Sequence, residues 1–431
     1  MIKRPRSLDL NHATFLRQSG VLLLGQVGAI FFACVFTVLA ARWLGPVEFG
    51  VLSTANTLVL LLSRASGPLT WIMTNVVARF DAAAQPGKLR FFVAWAWRRL
   101  IAAILIGLVL AGWLSFPLSR LLRLPSPLTI ILTALWFAAL LMTVFARAVQ
   151  QGLQAFGLLA FNQVAENILR LIVGLALIAL GLGAQGGIVG YATGAGLAAL
   201  IALMSLARHL GQSPPDADVN FRSLVTFSAQ AVIAACCYAI LSNADFLTIK
   251  RFLPETDAGL YAAVQTLGLL PMVGLSVFYN VMFSTVSFAH ARGDETLTFF
   301  YRLLAAIALM GAVTVALTGL LARPLILLAF GAPYLAAEPL LVGYMAATMV
   351  LVLVMVFNSF YLARREGHFI PWLAAGTIVL VALLVIHHDT AQAIVVDILL
   401  SYSAILTAYV FQAAVAWLRA RSARIDRASG Q

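Results

Sequence analysis

A chain of 431 residues with 62% hydrophobic and 10% charged residues cannot hide its apolar surface in a water-soluble fold, where about 25% of residues are charged. Lipid must cover most of that surface, so the composition predicts an integral membrane protein. The formal net charge of +12 does not indicate nucleic-acid binding, because the basic residues stand in short clusters between apolar runs.

Apolar runs of about 20 residues predict an all-α fold of twelve transmembrane helices. The first run is too long for the apolar part of a signal peptide, so we expect it to remain as a helix. In chain order the predicted spans cover residues 18–41, 51–77, 100–118, 128–147, 163–183, 188–207, 223–248, 259–289, 303–321, 337–362, 369–387 and 392–417.

The basic residues are distributed unequally over the connections between these spans. If the N-terminus is cytoplasmic, most of the 28 lysines and arginines also fall on the cytoplasmic side. Such a bias over short loops predicts that both termini are cytoplasmic. The longest predicted connection, residues 78–99, is basic and belongs to this side.

Two predicted outer loops share a sequence pattern. Arg42–Val51 and Arg251–Leu260 both contain arginine, an aromatic residue, leucine, an acidic residue and glycine in the same order, at a constant offset of 209 residues. An even number of spans separates the copies, which predicts a parallel repeat about an axis along the membrane normal. Two unrelated turns of similar chemistry are the alternative.

The repeat predicts two six-helix lobes with a linker between them. The N-lobe is expected over residues 1–207 and the C-lobe over residues 223–418. Residues 208–222 are polar and rich in proline, which is typical of a linker. Residues 419–431 are expected to form a basic cytoplasmic tail.

The segment Ala41–Gly50 resembles a loop that recurs in bacterial polysaccharide and O-antigen flippases. Gln151–Phe156, Asp245–Gly259 and Phe330–Tyr334 are also similar to patterns of that family. The family belongs to the multidrug/oligosaccharidyl-lipid/polysaccharide exporter superfamily. The resemblance implies a V-shaped pair of lobes in the bacterial cytoplasmic membrane, whose cavity opens to each side in turn.

The resemblance also implies the cargo and the partners. The usual cargo of the family is an undecaprenyl-pyrophosphate-linked oligosaccharide, which moves without covalent chemistry, so we expect neither an enzyme nor a cofactor. The expected partners are this lipid-linked substrate, membrane lipids and polysaccharide assembly proteins. Neither nucleic acid nor a metal ion is expected.

Arg64 is the deepest charge in the predicted second span. A charge inside the membrane costs roughly 2.5–3.5 kcal/mol on insertion scales, so it tends to face a bundle interior or a wet cavity. A guanidinium can bind a pyrophosphate through two hydrogen bonds. We therefore predict a substrate-binding role for Arg64, with Asn56 and Asn75 of the same span. A structural arginine is the alternative.

Arg170 and Glu166 lie one turn apart in the predicted fifth span. This spacing lets the two side chains neutralise one another on one helix face. They are candidates for the central cavity, and a self-contained ion pair is the alternative. Asp245 and Asp397 are candidates for ion coupling, because buried carboxylates change their protonation readily. Neutralisation of nearby basic residues is their alternative role.

Small residues recur every fourth position in the predicted sixth span. The spacing of Gly186, Gly190, Gly194 and Ala198 is typical of close helix–helix packing. A phosphate-binding loop is not indicated, because no strand and GxxxxGK[ST] motif occur here.

Two other functions remain as alternatives. A cation-coupled multidrug exporter of the same superfamily needs acidic groups in its cavity, whereas the first span here offers only Gln26. A membrane enzyme acting on polyprenyl-linked sugars commonly has a large extramembrane loop, and the connection at residues 78–99 lacks an acid/base pair.

Overall fold

The computed structural model describes residues 12–64, 67–209, 229–292, 296–364 and 366–429. These residues are almost entirely helical and include no strand, which confirms the predicted all-α class. A π-helix (Ile178–Leu182) follows α5, and a 3-10 helix (Ala332–Ala337) precedes α11. The α-helices are α1 (His12–Arg64), α2 (Gly67–Ala82), α3 (Pro86–Leu121), α4 (Pro127–Gly152), α5 (Phe156–Leu177), α6 (Gly183–His209), α7 (Ala229–Leu241), α8 (Ala244–Phe252), α9 (Glu255–Arg292), α10 (Leu297–Ala329), α11 (Glu338–Ala363), α12 (Ile370–Ile386) and α13 (Ala391–Ser429).

The outer faces of the helices are apolar. Trp113, Leu320 and Leu328 are each nearly four-fifths exposed, as expected for side chains that contact lipid. Nine helical segments of the described ranges are long and apolar enough to cross a membrane, which confirms a multi-pass membrane protein. Two of these segments bend at glycines, and α12 is a further, shorter apolar helix. The total of twelve spans stays a prediction.

The predicted first outer loop, Arg42–Val51, was wrong in its extent, because the structure continues α1 through it. Only Gly45 leaves the helical conformation, with φ 69° and ψ 174°. Glycine adopts this positive φ without steric cost, and Pro46 next to it suits the first turn of a new helix. One residue therefore makes a corner for which a whole loop was predicted.

Helices fill most of the predicted connection at residues 78–99. α2 continues to Ala82, residues 83–85 form a turn, and α3 begins at Pro86. The first turns of α3 are amphipathic and bury one face against α2, α4 and α6. The apolar cluster at this end of the helices contains Met73, Val76, Val77, Leu89, Phe92, Val93, Phe145, Ala148, Val149 and Leu206.

The chain divides into two compact units. Unit 1 contains Met1–Trp43 and Ser66–Phe227, and unit 2 contains Leu44–Ala65 and Ser228–Gln431. The second half of α1 thus packs with unit 2, whereas the predicted lobes divide the chain only at the linker. The linker itself lies outside the described residues beyond His209. The predicted tail is helical through Ser429 because α13 extends into it.

In unit 1, glycines bring α5 and α6 into backbone contact. A Cβ at Gly190 would overlap the Cα of Gly174, and one at Gly194 would lie 2.8 Å from the carbonyl oxygen of Glu166. Side chains larger than hydrogen would push the helices apart at both places. The packing role predicted for the small residues of α6 is confirmed.

In unit 2, the two copies of the repeated pattern contact each other at equivalent positions. A Cβ at Gly50 would lie 3.0 Å from the amide nitrogen of Gly259, and a Cβ at Gly259 would overlap the carbonyl oxygen of Pro46. Gly50 and Gly259 are related by the offset of 209 residues. Contact between equivalent residues is what a two-fold relation between two segments requires.

An aromatic cluster buries the beginning of the same helical segment in unit 2. Phe49 contacts Phe330 and Tyr334, with each pair of ring centroids 6.1 Å apart, and all three side chains are at most 2% exposed. Three of the four stretches that carry the family resemblance therefore meet in one place. They fix the start of the helix that leads to Arg64.

Candidate functional site

A small polar pocket in unit 2 contains Arg64. Its cavity volume is about 50 Å³, enough for water-sized groups or one small anionic group but not for a whole sugar. The pocket lies between the second half of α1, the end of α7 and the first half of α9. It is lined by Ser53, Asn56, Leu60, Arg64, Tyr238, Ser242, Asn243, Ala262, Gln265, Thr266 and Leu269.

The two long walls of this pocket are equivalent faces of the repeat. On each helix the paired lining residues recur at intervals of three or four, which places them on one face. Three pairs at the offset of 209 residues line the pocket: Ser53 with Ala262, Asn56 with Gln265, and Leu60 with Leu269. The next pair is Arg64 and Val273, so the repeat gives both walls similar shape but places a cation on one of them.

Arg64 ends α1 and is exposed. Its guanidinium carbon lies 4.6 Å from the ring centroid of Tyr238, a cation–π contact that holds the group at the pocket. Among the described residues that line the pocket, Arg64 is the one charged side chain. The arrangement therefore favours an anion, with neutral hydrogen-bonding groups around it.

The sequence predicted part of this pocket and missed the rest. Asn56 lines the pocket with Arg64, whereas Asn75 lies on α2 in unit 1 and is not a lining residue. Tyr238, Asn243 and Gln265 were not predicted, because helices distant in the chain supply them. The repeat offset could have found Gln265, since it is the equivalent of Asn56.

The ion pair between Glu166 and Arg170, the alternative to their role in the cavity, is not formed in the structure. Glu166 Oε2 instead accepts a hydrogen bond from Arg147 Nη2 at 2.6 Å. Arg147 also donates to Asn162 Oδ1 at 2.7 Å, and Asn162 donates to the carbonyl oxygen of Ala198 at 2.6 Å. The partner of Glu166 is thus on the neighbouring helix α4, and the network joins α4, α5 and α6.

A double-mutant cycle can test this reassignment. Glu166→Ala and Arg147→Ala should couple by about 0.5–3 kcal/mol in the free energy of unfolding, as contacting residues do. Glu166→Ala and Arg170→Ala should be nearly additive. Thermal or denaturant unfolding of the purified chain measures both cycles. Equal coupling in the two cycles would restore the original pairing.

Arg170 is enclosed by aromatic rings in unit 1. Its guanidinium carbon lies 4.6 Å from the ring centroid of Tyr191 and 5.3 Å from that of Phe36, and Trp136 stacks on Tyr191. Arg170 Nη2 donates to Asn167 Oδ1 at 2.5 Å. The side chain is 9% exposed. This environment stabilises the cation and leaves it little surface for a direct contact.

Asp245 and Asp397 are both buried in unit 2. Asp245 is 1% exposed and accepts a hydrogen bond from the hydroxyl of Tyr261 at 2.6 Å. Asp397 is 3% exposed, and its Oδ1 lies 3.3 Å from Nδ1 of His387. Asp397 Oδ2 and the hydroxyl of Ser401, one turn later, have no hydrogen-bond partner among the described residues.

Solved structures of membrane transporters share the overall fold. A multidrug resistance MATE family transporter of the MOP superfamily, in an inward-facing conformation, superposes with a TM-score of 0.66 and 14% identity, covering 93% of this chain and 96% of that one. The lipid II flippase MurJ, in an inward closed conformation, superposes with a TM-score of 0.66 and 12% identity, covering 90% of this chain and 87% of that one. A MOP superfamily transporter from Pyrococcus furiosus superposes with a TM-score of 0.56 and 12% identity, covering 92% of this chain and 94% of that one.

The chain thus shares the fold of these transporters, and its sequence defines its family. The model of the polysaccharide biosynthesis protein family matches residues 15–290, so the chain belongs to that family. No curated protein sequence matches it significantly. Membership confirms the family resemblance, although Phe330–Tyr334 lies outside the matched residues.

Proposed function

We propose that this chain is a flippase that moves a polyprenyl-pyrophosphate-linked oligosaccharide across the bacterial cytoplasmic membrane by alternating access. Its two six-helix lobes would be the moving parts, and both termini would be cytoplasmic. The proposal rests on one observation above all: in a member of a polysaccharide biosynthesis family, the polar pocket around Arg64 carries a cation.

The pocket chemistry fits the head of such a lipid. The guanidinium of Arg64 would bind pyrophosphate oxygens with paired, charge-assisted hydrogen bonds. Asn56 and Gln265 would hydrogen-bond the first sugar or the remaining phosphate oxygens. The cavity of about 50 Å³ suits a phosphate group, so the oligosaccharide would extend out of the pocket. The polyprenyl chain would stay in hydrocarbon throughout.

Pocket charge separates this proposal from a multidrug-type exporter. A site for cationic drugs needs a carboxylate to offset the drug's charge, and the lining residues in the described part of the chain supply none. The Pyrococcus furiosus transporter of the same fold is described as having a binding pocket of reverse polarity, which suggests a different function for that protein. Pockets of opposite charge thus occur within one fold, which supports the proposal that pocket charge selects the cargo.

Translocation into proteoliposomes tests the proposal. The wild-type chain should move a fluorescent polyprenyl-pyrophosphate saccharide to the leaflet that a membrane-impermeant quencher cannot reach. Protein-free vesicles and a cationic dye serve as controls. Transport of the dye in place of the lipid-linked sugar would favour the multidrug exporter. Sugar transfer in detergent without translocation would favour the membrane enzyme.

Asp245 and Asp397 form the ion-coupling part of the proposal. Each is a carboxylate inside unit 2, and the open lone pairs of Asp397 Oδ2 and Ser401 suit a proton or a small cation. His387 is about half exposed and contacts Asp397, which would connect this position with solvent. Arg170 and Glu166 stay predicted cavity residues, although in this conformation their contacts are with their own unit.

Substitution of each carboxylate by its amide should uncouple transport from the ion gradient. Asp245→Asn and Asp397→Asn are each expected to lower gradient-driven translocation by about 10-fold or more, within the range of coupling between two sites. Asp389→Asn is the matched control, because Asp389 is exposed in the connection before α13. Proton and sodium gradients imposed separately identify the ion. Unchanged gradient dependence in both variants excludes these two residues.

A further inference from the structure

Helix α3 is much longer than a bilayer requires. Its 36 residues extend over about 54 Å at 1.5 Å per residue, whereas the hydrocarbon core is about 30 Å thick. Arg99 and Arg120 are about 31 Å apart along the helix axis by the same rise. The two arginines therefore bracket the hydrocarbon core, and the residues before Arg98 project beyond it.

A lipid-facing stripe of α3 ends near Arg99. Ala102, Leu105 and Val109 are exposed and recur every three or four residues, so they share one face of α3. Arg98 continues this spacing by one more turn, and Arg99 stands beside it. Both arginines are exposed. An acyl chain that follows the stripe thus brings its headgroup to two adjacent guanidinium groups.

An indole holds one of these guanidinium groups in place. The guanidinium carbon of Arg99 lies 4.4 Å from the ring centroid of Trp95. Trp95 itself stacks on Phe92, which is 3% exposed and belongs to the apolar cluster at the start of α3. Tryptophan prefers the headgroup region of a membrane. The arginine therefore loses less side-chain freedom when it binds an anion.

We infer that Arg98, Arg99 and Trp95 form a binding site for the headgroup of an anionic phospholipid, whose acyl chains lie along Ala102–Val109. Charge complementarity supplies the headgroup contact, and the exposed apolar stripe supplies the surface for the chains. The arginine bias predicts that this end of α3 is cytoplasmic. The site lies within unit 1 and does not depend on the proposed cargo pocket.

Lipid titration of the purified full-length chain, read by native mass spectrometry, tests the site. Phosphatidylglycerol should bind more tightly than phosphatidylcholine with the same acyl chains. The double variant Arg98→Gln/Arg99→Gln should lose about 10- to 30-fold in affinity for phosphatidylglycerol, because two interfacial charges are removed. Arg98→Lys/Arg99→Lys keeps both charges and should keep most of the preference.

Arg120→Gln is the matched control on the same helix. Arg120 also stacks on an aromatic ring, with its guanidinium carbon 4.0 Å from the centroid of Phe116, but the next arginine, Arg123, lies beyond the end of α3. Its substitution should cause the smaller loss. An equal loss in this variant, or no preference for phosphatidylglycerol in the wild type, overturns the inference. Tighter binding of undecaprenyl phosphate than of phosphatidylglycerol overturns it in favour of the cargo lipid.

A second measurement uses only the wild-type chain, so its result does not depend on whether a variant folds. A photoactivatable phosphatidylglycerol with its reactive group near the headgroup should label the wild-type chain between residues 94 and 106. Labelling spread evenly over the exposed helices, or confined to the other end of α3, contradicts the site. Excess unlabelled phosphatidylglycerol should remove the label, and phosphatidylcholine should not.

Discussion

Arg64→Ala is expected to lower the translocation of a polyprenyl-pyrophosphate saccharide by about 10- to 100-fold, because hydrogen bonds to charged groups contribute about 1.5–3 kcal/mol each. The loss should appear in the rate of quencher-protected label in proteoliposomes. The alanine variant should also lose the Tyr238 contact, but its fold should persist because Arg64 is exposed at the end of α1.

Two variants serve as controls for this prediction. Arg79→Ala removes an exposed arginine from α2, outside the pocket, and should leave the rate unchanged. Arg64→Lys keeps the charge but removes the planar pair of donors, so an intermediate rate is expected. Full activity of the alanine variant would remove Arg64 from the mechanism, whatever cargo the chain carries.

The repeat allows the charge to be moved to the other wall of the pocket. Val273 is the equivalent of Arg64 on α9, so Arg64→Val combined with Val273→Arg places a guanidinium at the related position. We expect this double variant to regain a measurable part of the activity that Arg64→Val loses. Failure to regain activity would contradict the two-fold relation of the pocket walls while leaving the role of Arg64 intact.

Gly259→Ala should have the second large effect, through the contact between α1 and α9. The added Cβ would overlap the carbonyl oxygen of Pro46, and a backbone atom cannot move aside as a flexible side chain can. We expect the free energy of this conformation to rise by about 3 kcal/mol, which is the upper part of the usual range for overpacking. A shift of that size lowers its population more than a hundredfold.

Spin labels on α1 and α9 can follow this change. Labels at the exposed positions Val47 and Thr256, in a background without the native cysteines, should report a short distance in the wild type and longer distances in Gly259→Ala. Gly50→Ala should give a smaller shift, since its Cβ would lie 3.0 Å from the nearest atom. Gly274→Ala, with nothing within 4 Å, is the matched control on α9. Identical distances in all variants would contradict the close contact.

Local chemistry and periodicity predicted much of the fold. The apolar runs located the membrane helices because each helix needs about 20 apolar residues to cross the hydrocarbon core. The four-residue spacing of Gly186 to Ala198 predicted the close packing of α6, because helix contact depends on the size of the residues on one face. The limits of the connections were less accurate, since Gly45 alone can turn a helix.

Contacts between helices that are distant in the chain could not be predicted from the sequence. Glu166 was paired with Arg170 because the i, i+4 rule considers one helix only, and its partner Arg147 lies on another. Tyr238 joined Arg64 from a different part of the chain for the same reason. The repeat offset could have supplied one of these contacts, because it relates Asn56 to Gln265 and so indicates which helix faces can meet.

We propose above all that the pocket around Arg64 binds the pyrophosphate of the cargo lipid. An experimental structure of the chain with a polyprenyl-pyrophosphate analogue, in lipid nanodiscs, tests it most directly. We expect phosphate oxygens within hydrogen-bond distance of the Arg64 guanidinium, with Asn56 and Gln265 on either side. Density for the phosphate elsewhere, or an Arg64 side chain turned away from an empty pocket, would contradict it.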